Sequence, residues 1–171
     1  MHNEEFAGTF LKISLHRMSD LYFIKFEEAL KGLTIEDLWR EPYDKGNTIG
    51  GITLHVCEHI ARSCLRLNGL KAQLKTGFEN YFPQNECTST ELLQRLETQL
   101  AAWSSIMNKY MNNELQINEE HIHELYHLIE HTGYHLGQII DRIQAAREHK
   151  FEFCKNGINE AYLKKKIDQA N

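Results

Sequence analysis

Four long stretches of the chain repeat apolar residues every three to four positions, which is the spacing of a helix with one buried face. They run from about Glu4 to Leu30, from about Asn47 to Lys75, from Thr88 to Asn112 and from about Glu119 to Glu148. No stretch of useful length alternates apolar and polar residues as a half-buried strand does. The pattern therefore predicts an all-α protein, built as a four-helix bundle with short additional helices.

Polar residues mark the expected helix starts. Thr34 is expected to cap a short helix that reaches Trp39, and Asn47 to cap the second long helix. Thr88-Ser89-Thr90-Glu91 is a capping-box pattern, and Asn118 is a possible cap of the fourth long helix. Gly50 and Gly51 count against a regular first turn of the second long helix, because glycine is a poor helix former.

The length of 171 residues predicts a single domain, 1–171, in which residues 150–171 are a C-terminal extension with a short helix at about Ile158–Ile167. The net charge of −5 argues against a nucleic-acid-binding surface. No apolar run is long enough to span a bilayer, and the first residues lack the pattern of a signal peptide. These features predict a cytoplasmic protein that binds neither nucleic acid nor a membrane.

Histidine is the unusual residue type, with ten in the chain. His131 and His135 are four positions apart on the fourth predicted helix, so their imidazoles share one face and can converge on one metal ion. Thr132 stands where an HExxH metalloprotease has its glutamate, which argues against a protease.

Helical angles separate this pair from the other histidines of the segment. His135 falls beside the apolar stripe and His131 at its border, whereas His127 and His123 fall progressively farther away. We therefore predict His131 and His135 as metal ligands and His123 as solvated. His127 is most simply a histidine without a role in the site, and the alternative is a partner of a ligand or a proton shuttle. Gln138 is either a hydrogen-bond partner of a ligand or metal-bound water, or a polar residue of a helix interface.

A third ligand must come from elsewhere, because catalytic sites often use three protein ligands and leave one position open. The second predicted helix offers His55 and His59, and periodicity does not choose between them. No confident general base is visible, since Glu58 and Glu130 point away from the apolar stripes.

Two motifs carry a resemblance to a known family: Asn47-Thr-Ile-Gly-Gly-Ile-Thr-Leu-His55 and His131-Thr-Gly-Tyr-His135-Leu-Gly-Gln138-Ile. Together with the order of helices, they resemble the DinB/YfiT-like metalloenzyme superfamily over nearly the whole chain. In that family one histidine of the second helix and an HxxxH pair on a later helix hold the metal. The resemblance thus implies His55, His131 and His135 as the ligands, with His59 as a departure from the commoner pattern.

The resemblance also implies a homodimer and either a thiol transferase or a metal-dependent hydrolase, acting on a small-molecule thiol or electrophile. A divalent ion, Zn²⁺ or Ni²⁺, would lower the pKa of a bound water or thiol and so make a nucleophile. The alternatives are a non-catalytic metal- or ligand-binding stress-response protein, and a bundle whose histidines only hydrogen-bond.

Overall fold

A computed structural model describes residues 2–70 and 77–169, and within these residues it is all-helical, with no strand. The helices are α1 (His2–His16), a π-helical segment (Arg17–Tyr22), α2 (Phe23–Leu30), α3 (Ile35–Trp39), α4 (Ile49–Leu67), a 3₁₀ turn (Phe78–Asn80), α5 (Ser89–Met111), α6 (Glu119–Arg147) and α7 (Glu160–Gln169). The predicted all-α class is confirmed for the described part of the chain. None of its helices has the length and apolar character that crossing a bilayer requires.

The first predicted helix is continuous, but it contains a π-helical segment that periodicity did not indicate. This segment, Arg17–Tyr22, buries Met18 and Leu21. It also places the Tyr22 hydroxyl 2.8 Å from the position that a Cβ on Gly133 would occupy. The absence of a side chain at Gly133 therefore lets the first helical stretch approach α6 between two of the predicted ligands.

The predicted bounds of α4 were wrong at both ends. Thr48, and not Asn47, is the N-cap, and its side chain accepts a hydrogen bond from the Gly51 N–H at 3.0 Å. The helix ends at Leu67 because Gly69 takes a left-handed conformation (φ +68°), which closes the last turn through a bond from Leu70 N–H to Leu65 O. The predicted continuation to Lys75 covers residues 71–75, which lie outside the described residues.

The other predicted helix starts are confirmed. The side chains of Thr34, Thr88 and Asn118 each accept a hydrogen bond from the backbone N–H three residues later. The short C-terminal helix begins slightly later than predicted, at Glu160, and an Arg17–Glu160 ion pair of 2.8 Å joins it to the first helical stretch.

The central element is α4, which packs against both α5 and α6, while α1 and α2 pack on the same two helices. Burial of α4 extends to its polar residues: Thr53, His55, His59, Arg62 and Ser63 are all buried. Because burying a polar group is unfavourable without a partner, polar side chains in the middle of this core indicate a specific role.

Gly50 is needed for packing in the first turn of α4. A Cβ at this position would lie 2.6 Å from ring atoms of Trp39. The ring cannot easily move, because Trp39 Nε1–H donates to the Cys87 carbonyl at 2.9 Å. The glycine that weakened the helix prediction is thus explained by a close contact between α3 and α4.

We expect Gly50→Ala to lower the free energy of unfolding by about 1–3 kcal/mol, the usual effect of overpacking a core. Gly137→Ala is the matched control, because a Cβ there meets no atom within 4 Å. This second change should leave stability unchanged or raise it by up to about 1 kcal/mol, through helix propensity. Urea denaturation of both variants measures the difference, and equal effects would contradict the packing explanation.

Candidate metal centre

Four histidines from two facing helices meet between α4 and α6. His55 and His59 are one turn apart on α4, and His131 and His135 are one turn apart on α6. His55 is 1% exposed, His59 and His135 are 5% exposed, and His131 is half-buried. The helical period therefore brings both i, i+4 pairs to one place inside the protein.

Three of the four rings have the arrangement that a shared ion requires. Nitrogen atoms of His55, His131 and His135 all lie within 4.8 Å of one another. The ring centroids are 5.2 Å apart for His55 and His131, 5.0 Å for His55 and His135, and 4.4 Å for His131 and His135. Imidazoles bound to one ion at about 2.1 Å, with angles of about 85–110° at the ion, have centroids roughly 4.4–5.2 Å apart, so the three separations fit common coordination angles.

Hydrogen bonds fix the tautomer of two of these rings. His55 Nδ1 lies 3.1 Å from the Tyr81 carbonyl oxygen, and His135 Nδ1 lies 2.8 Å from Gln138 Oε1. Both oxygens can only accept, so each Nδ1 carries the proton and each Nε2 presents a lone pair. Metal-binding histidines characteristically donate their second N–H in this way.

Gln138 is thereby assigned a contact within the predicted site. Its amide oxygen accepts from His135, and its Nε2–H donates to the Tyr134 hydroxyl at 2.9 Å. Of the two roles considered for Gln138, the one in which it hydrogen-bonds a predicted ligand agrees with the structure.

The four rings are kept neutral by their surroundings. Burial lowers the pKa of His55 to about 4, that of His131 to about 3 and that of His59 to about 2, with neighbouring imidazoles adding to each effect. Burial also lowers the pKa of His135. Neutral imidazole is the form that binds metal, so the donor set fits a divalent ion near neutral pH.

His59 occupies a different position from the other three. Its ring stacks on that of His131, with a centroid separation of 3.5 Å and an interplanar angle of 29°. Its Nε2 lies 3.5 Å from Glu79 Oε2, and His59, Glu79 and His131 form a second group of donor atoms within 4.8 Å of one another. Periodicity left the choice between His55 and His59 open, and the ring separations favour His55 as the partner of His131 and His135.

The remaining histidines of α6 lie farther out. His127 is half-buried, and its ring centroid is 5.7 Å from that of His131 and 6.1 Å from that of His59. It belongs to neither group of donor atoms among the described residues. His123 is exposed, as predicted.

A loop segment covers the cluster, and periodicity gave no indication of it. The Phe82 ring stacks on His55 at a centroid separation of 4.2 Å and lies 5.8 Å from His135. Gly51 permits this approach, since a Cβ there would lie 3.0 Å from the Pro83 carbonyl oxygen. Glu79, Tyr81 and Phe82 therefore all contact the histidines from one short stretch of chain.

A cavity of about 850 Å³ adjoins His55 on the side of α5. Its walls include Glu58, Arg62, Tyr81 and Arg95 together with the edge of His55. Arg62 Nε–H donates to Glu58 Oε1 at 2.7 Å, an ion pair between residues one turn apart on α4. The volume suits a small molecule.

Family models, curated proteins and solved structures give no match to this chain. The resemblance to DinB/YfiT-like proteins therefore stays a prediction, and a function has to be inferred from the geometry of the histidine cluster.

Proposed function

We propose that this protein is a metal-dependent enzyme with a DinB/YfiT-like four-helix bundle, in which His55, His131 and His135 hold one Zn²⁺ or Ni²⁺ ion. The observation that carries the proposal is the pair of Nδ1 hydrogen bonds. They leave Nε2 of His55 and of His135 with a lone pair, in a cluster where one nitrogen each of His55, His131 and His135 lie within 4.8 Å of one another. Three histidines with an open position are a common set for catalytic metal sites.

Such an ion, when bound, lowers the pKa of a coordinated water or thiol and supplies the nucleophile for thiol transfer or hydrolysis. The residues of the chain have supporting roles. Phe82 limits the access of water to the histidines, and the cavity beside His55 receives a small-molecule thiol or electrophile. Glu79 is the candidate to accept a proton, because a carboxylate oxygen of Glu79 lies within 4.8 Å of a ring nitrogen of His131.

Glu58 and Glu130 are poorer candidates for a base. Glu58 accepts a hydrogen bond from Arg62, and Glu130 is exposed on α6. The sequence had already placed both away from the apolar stripes, and the structure agrees. Glu58 lines the cavity beside His55, but its ion pair with Arg62 makes it a poorer base than Glu79.

The test is to purify the protein without chelators, measure its metal content, and assay it with panels of thiols plus electrophiles and of esters. We expect about one divalent ion per chain and a turnover that His135→Ala loses. A protein without stoichiometric metal would refute the proposal. Stoichiometric metal without turnover on any panel would support the alternative, a non-catalytic metal-binding protein.

A further inference from the structure

We infer that His59 is a positioning residue, which holds the ring of His131 by stacking and does not bind the metal itself. The inference rests on the proposed metal site and adds to it a fourth histidine with a different role. It also accounts for the burial of a polar residue that the three-histidine site leaves unused.

The ring geometry argues against His59 as a ligand alongside His131. Two imidazoles bound to one ion at about 2.1 Å place their centroids about 3.2 Å from it. A centroid separation of 3.5 Å between His59 and His131 would then require an angle of about 65° at the ion, well below the 90–110° of common coordination geometries. For the three pairs formed by His55, His131 and His135, the measured centroid separations correspond to angles of about 85–110° at the ion.

His131 is the ligand that lacks a hydrogen bond to orient it. The His55 and His135 rings are each held through Nδ1, by the Tyr81 carbonyl and by Gln138. The buried Nδ1 of His131 has no hydrogen-bond partner among the described residues. Its Nε2 lies 3.2 Å from His135 Nε2, but these are the two atoms that would face the ion, so this contact cannot orient the ring once metal is bound.

His59 is itself well fixed, as a supporting residue must be. It is 5% exposed, its Nε2 lies 3.5 Å from Glu79 Oε2, and its ring packs edge-on against His55 with a centroid separation of 4.6 Å. The face of its ring covers the face of His131. Stacking therefore gives His131 the orientation that hydrogen bonds give to the other two ligands.

The experiment compares two variants of similar size that separate the ring from its nitrogen atoms. His59→Phe keeps an aromatic face but cannot coordinate, whereas His59→Gln keeps a polar side chain but loses the ring. His127→Ala is the control, because His127 is a histidine neighbour of His131 that does not stack on it. Circular dichroism establishes that each variant is folded before metal is added.

The measurements are Zn²⁺ stoichiometry and Kd by competition with a coloured chelator, and the visible spectrum of the Co²⁺-loaded protein. We expect His59→Phe to bind one ion with a Kd within about threefold of the wild type and an unchanged Co²⁺ spectrum. His59→Gln should weaken binding about 10–100-fold, the usual effect of losing a residue that orients a ligand. His127→Ala should have little effect.

Two results would overturn the inference. If His59→Phe loses the ion or changes the Co²⁺ spectrum, His59 is a ligand. If His59→Gln binds metal as tightly as the wild type, the stack has no positioning role. Absence of metal from the wild-type protein itself would instead refute the proposed function, and this inference with it.

Discussion

Replacing His131 with alanine is expected to abolish stoichiometric binding of a divalent ion and the thermal stabilisation that the ion provides. His131 belongs to both groups of donor atoms found among the described residues, so no alternative set remains when it is removed. A ligand that binds only the native state at 100 times its Kd stabilises it by about 2.7 kcal/mol. For a chain of this size, that corresponds to a Tm difference of roughly 5–10 °C between metal-loaded and chelator-treated protein.

The measurement is calorimetry or dye-based melting with Zn²⁺ and with chelator, alongside metal analysis. His123→Ala is the matched control, since it removes an exposed histidine from the same helix. The control should keep the metal-dependent shift in Tm that His131→Ala loses. If the wild type melts at the same temperature with and without chelator, the cluster is a set of hydrogen-bonded histidines and not a metal site.

The pairing of His131 with His135 could be predicted from the sequence because it depends only on the helical period. Residues four apart share a face wherever the helix lies, and the apolar stripe shows which face is turned inward. The same period separated these two histidines from the exposed His123. Periodicity was sufficient here because both predicted ligands belong to one continuous helix, α6.

The choice between His55 and His59 could not be made in this way. Both are buried on the same helix, and they differ in how their rings meet His131. That contact depends on the distance and rotation between α4 and α6, which no pattern within a single helix specifies. The family resemblance favoured His55, and the ring separations now give a physical reason for that choice.

The loop residues that contact the histidine cluster could not be predicted from the sequence either. Glu79, Tyr81 and Phe82 contact the histidines from a segment without periodicity, and each does so through a different group. The misplaced end of α4 has a related cause. Apolar residues continue past Leu67, so the stripe predicted a longer helix, while the left-handed Gly69 ended it.

Metal-free protein is expected to lose stability steeply as the pH falls below about 6.5, and the buried histidines are the reason. In the unfolded chain their pKa values are about 6.5. In the folded protein burial lowers the pKa of His55 to about 4, that of His131 to about 3 and that of His59 to about 2. Above pH 6.5 neither state is protonated at these groups, so their contribution to stability is complete there.

Between pH 6.5 and the folded pKa values, the unfolded chain takes up protons that the folded chain does not. Each such histidine then lowers the free energy of unfolding by up to about 1.4 kcal/mol per pH unit. Three or four such histidines together can cancel the whole free energy of unfolding of an ordinary domain, about 5–15 kcal/mol, within a few pH units. Much of this loss precedes the titration of carboxylates, whose unperturbed pKa values are near 4.

Urea denaturation of chelator-treated protein at several pH values from 7.5 to 5 measures this slope. His59→Phe removes one histidine whose pKa burial lowers, so one proton fewer is taken up on unfolding. The slope of the unfolding free energy against pH should then fall by roughly 1.4 kcal/mol per pH unit. His123→Ala, which removes an exposed histidine of the same helix, should leave the slope unchanged. A flat stability profile from pH 6.5 to 5, or equal slopes for wild type and His59→Phe, would show that the cluster is already protonated or solvated in the folded protein. The steep slope, if found, follows from the same burial that keeps the four imidazoles neutral and ready for a metal ion.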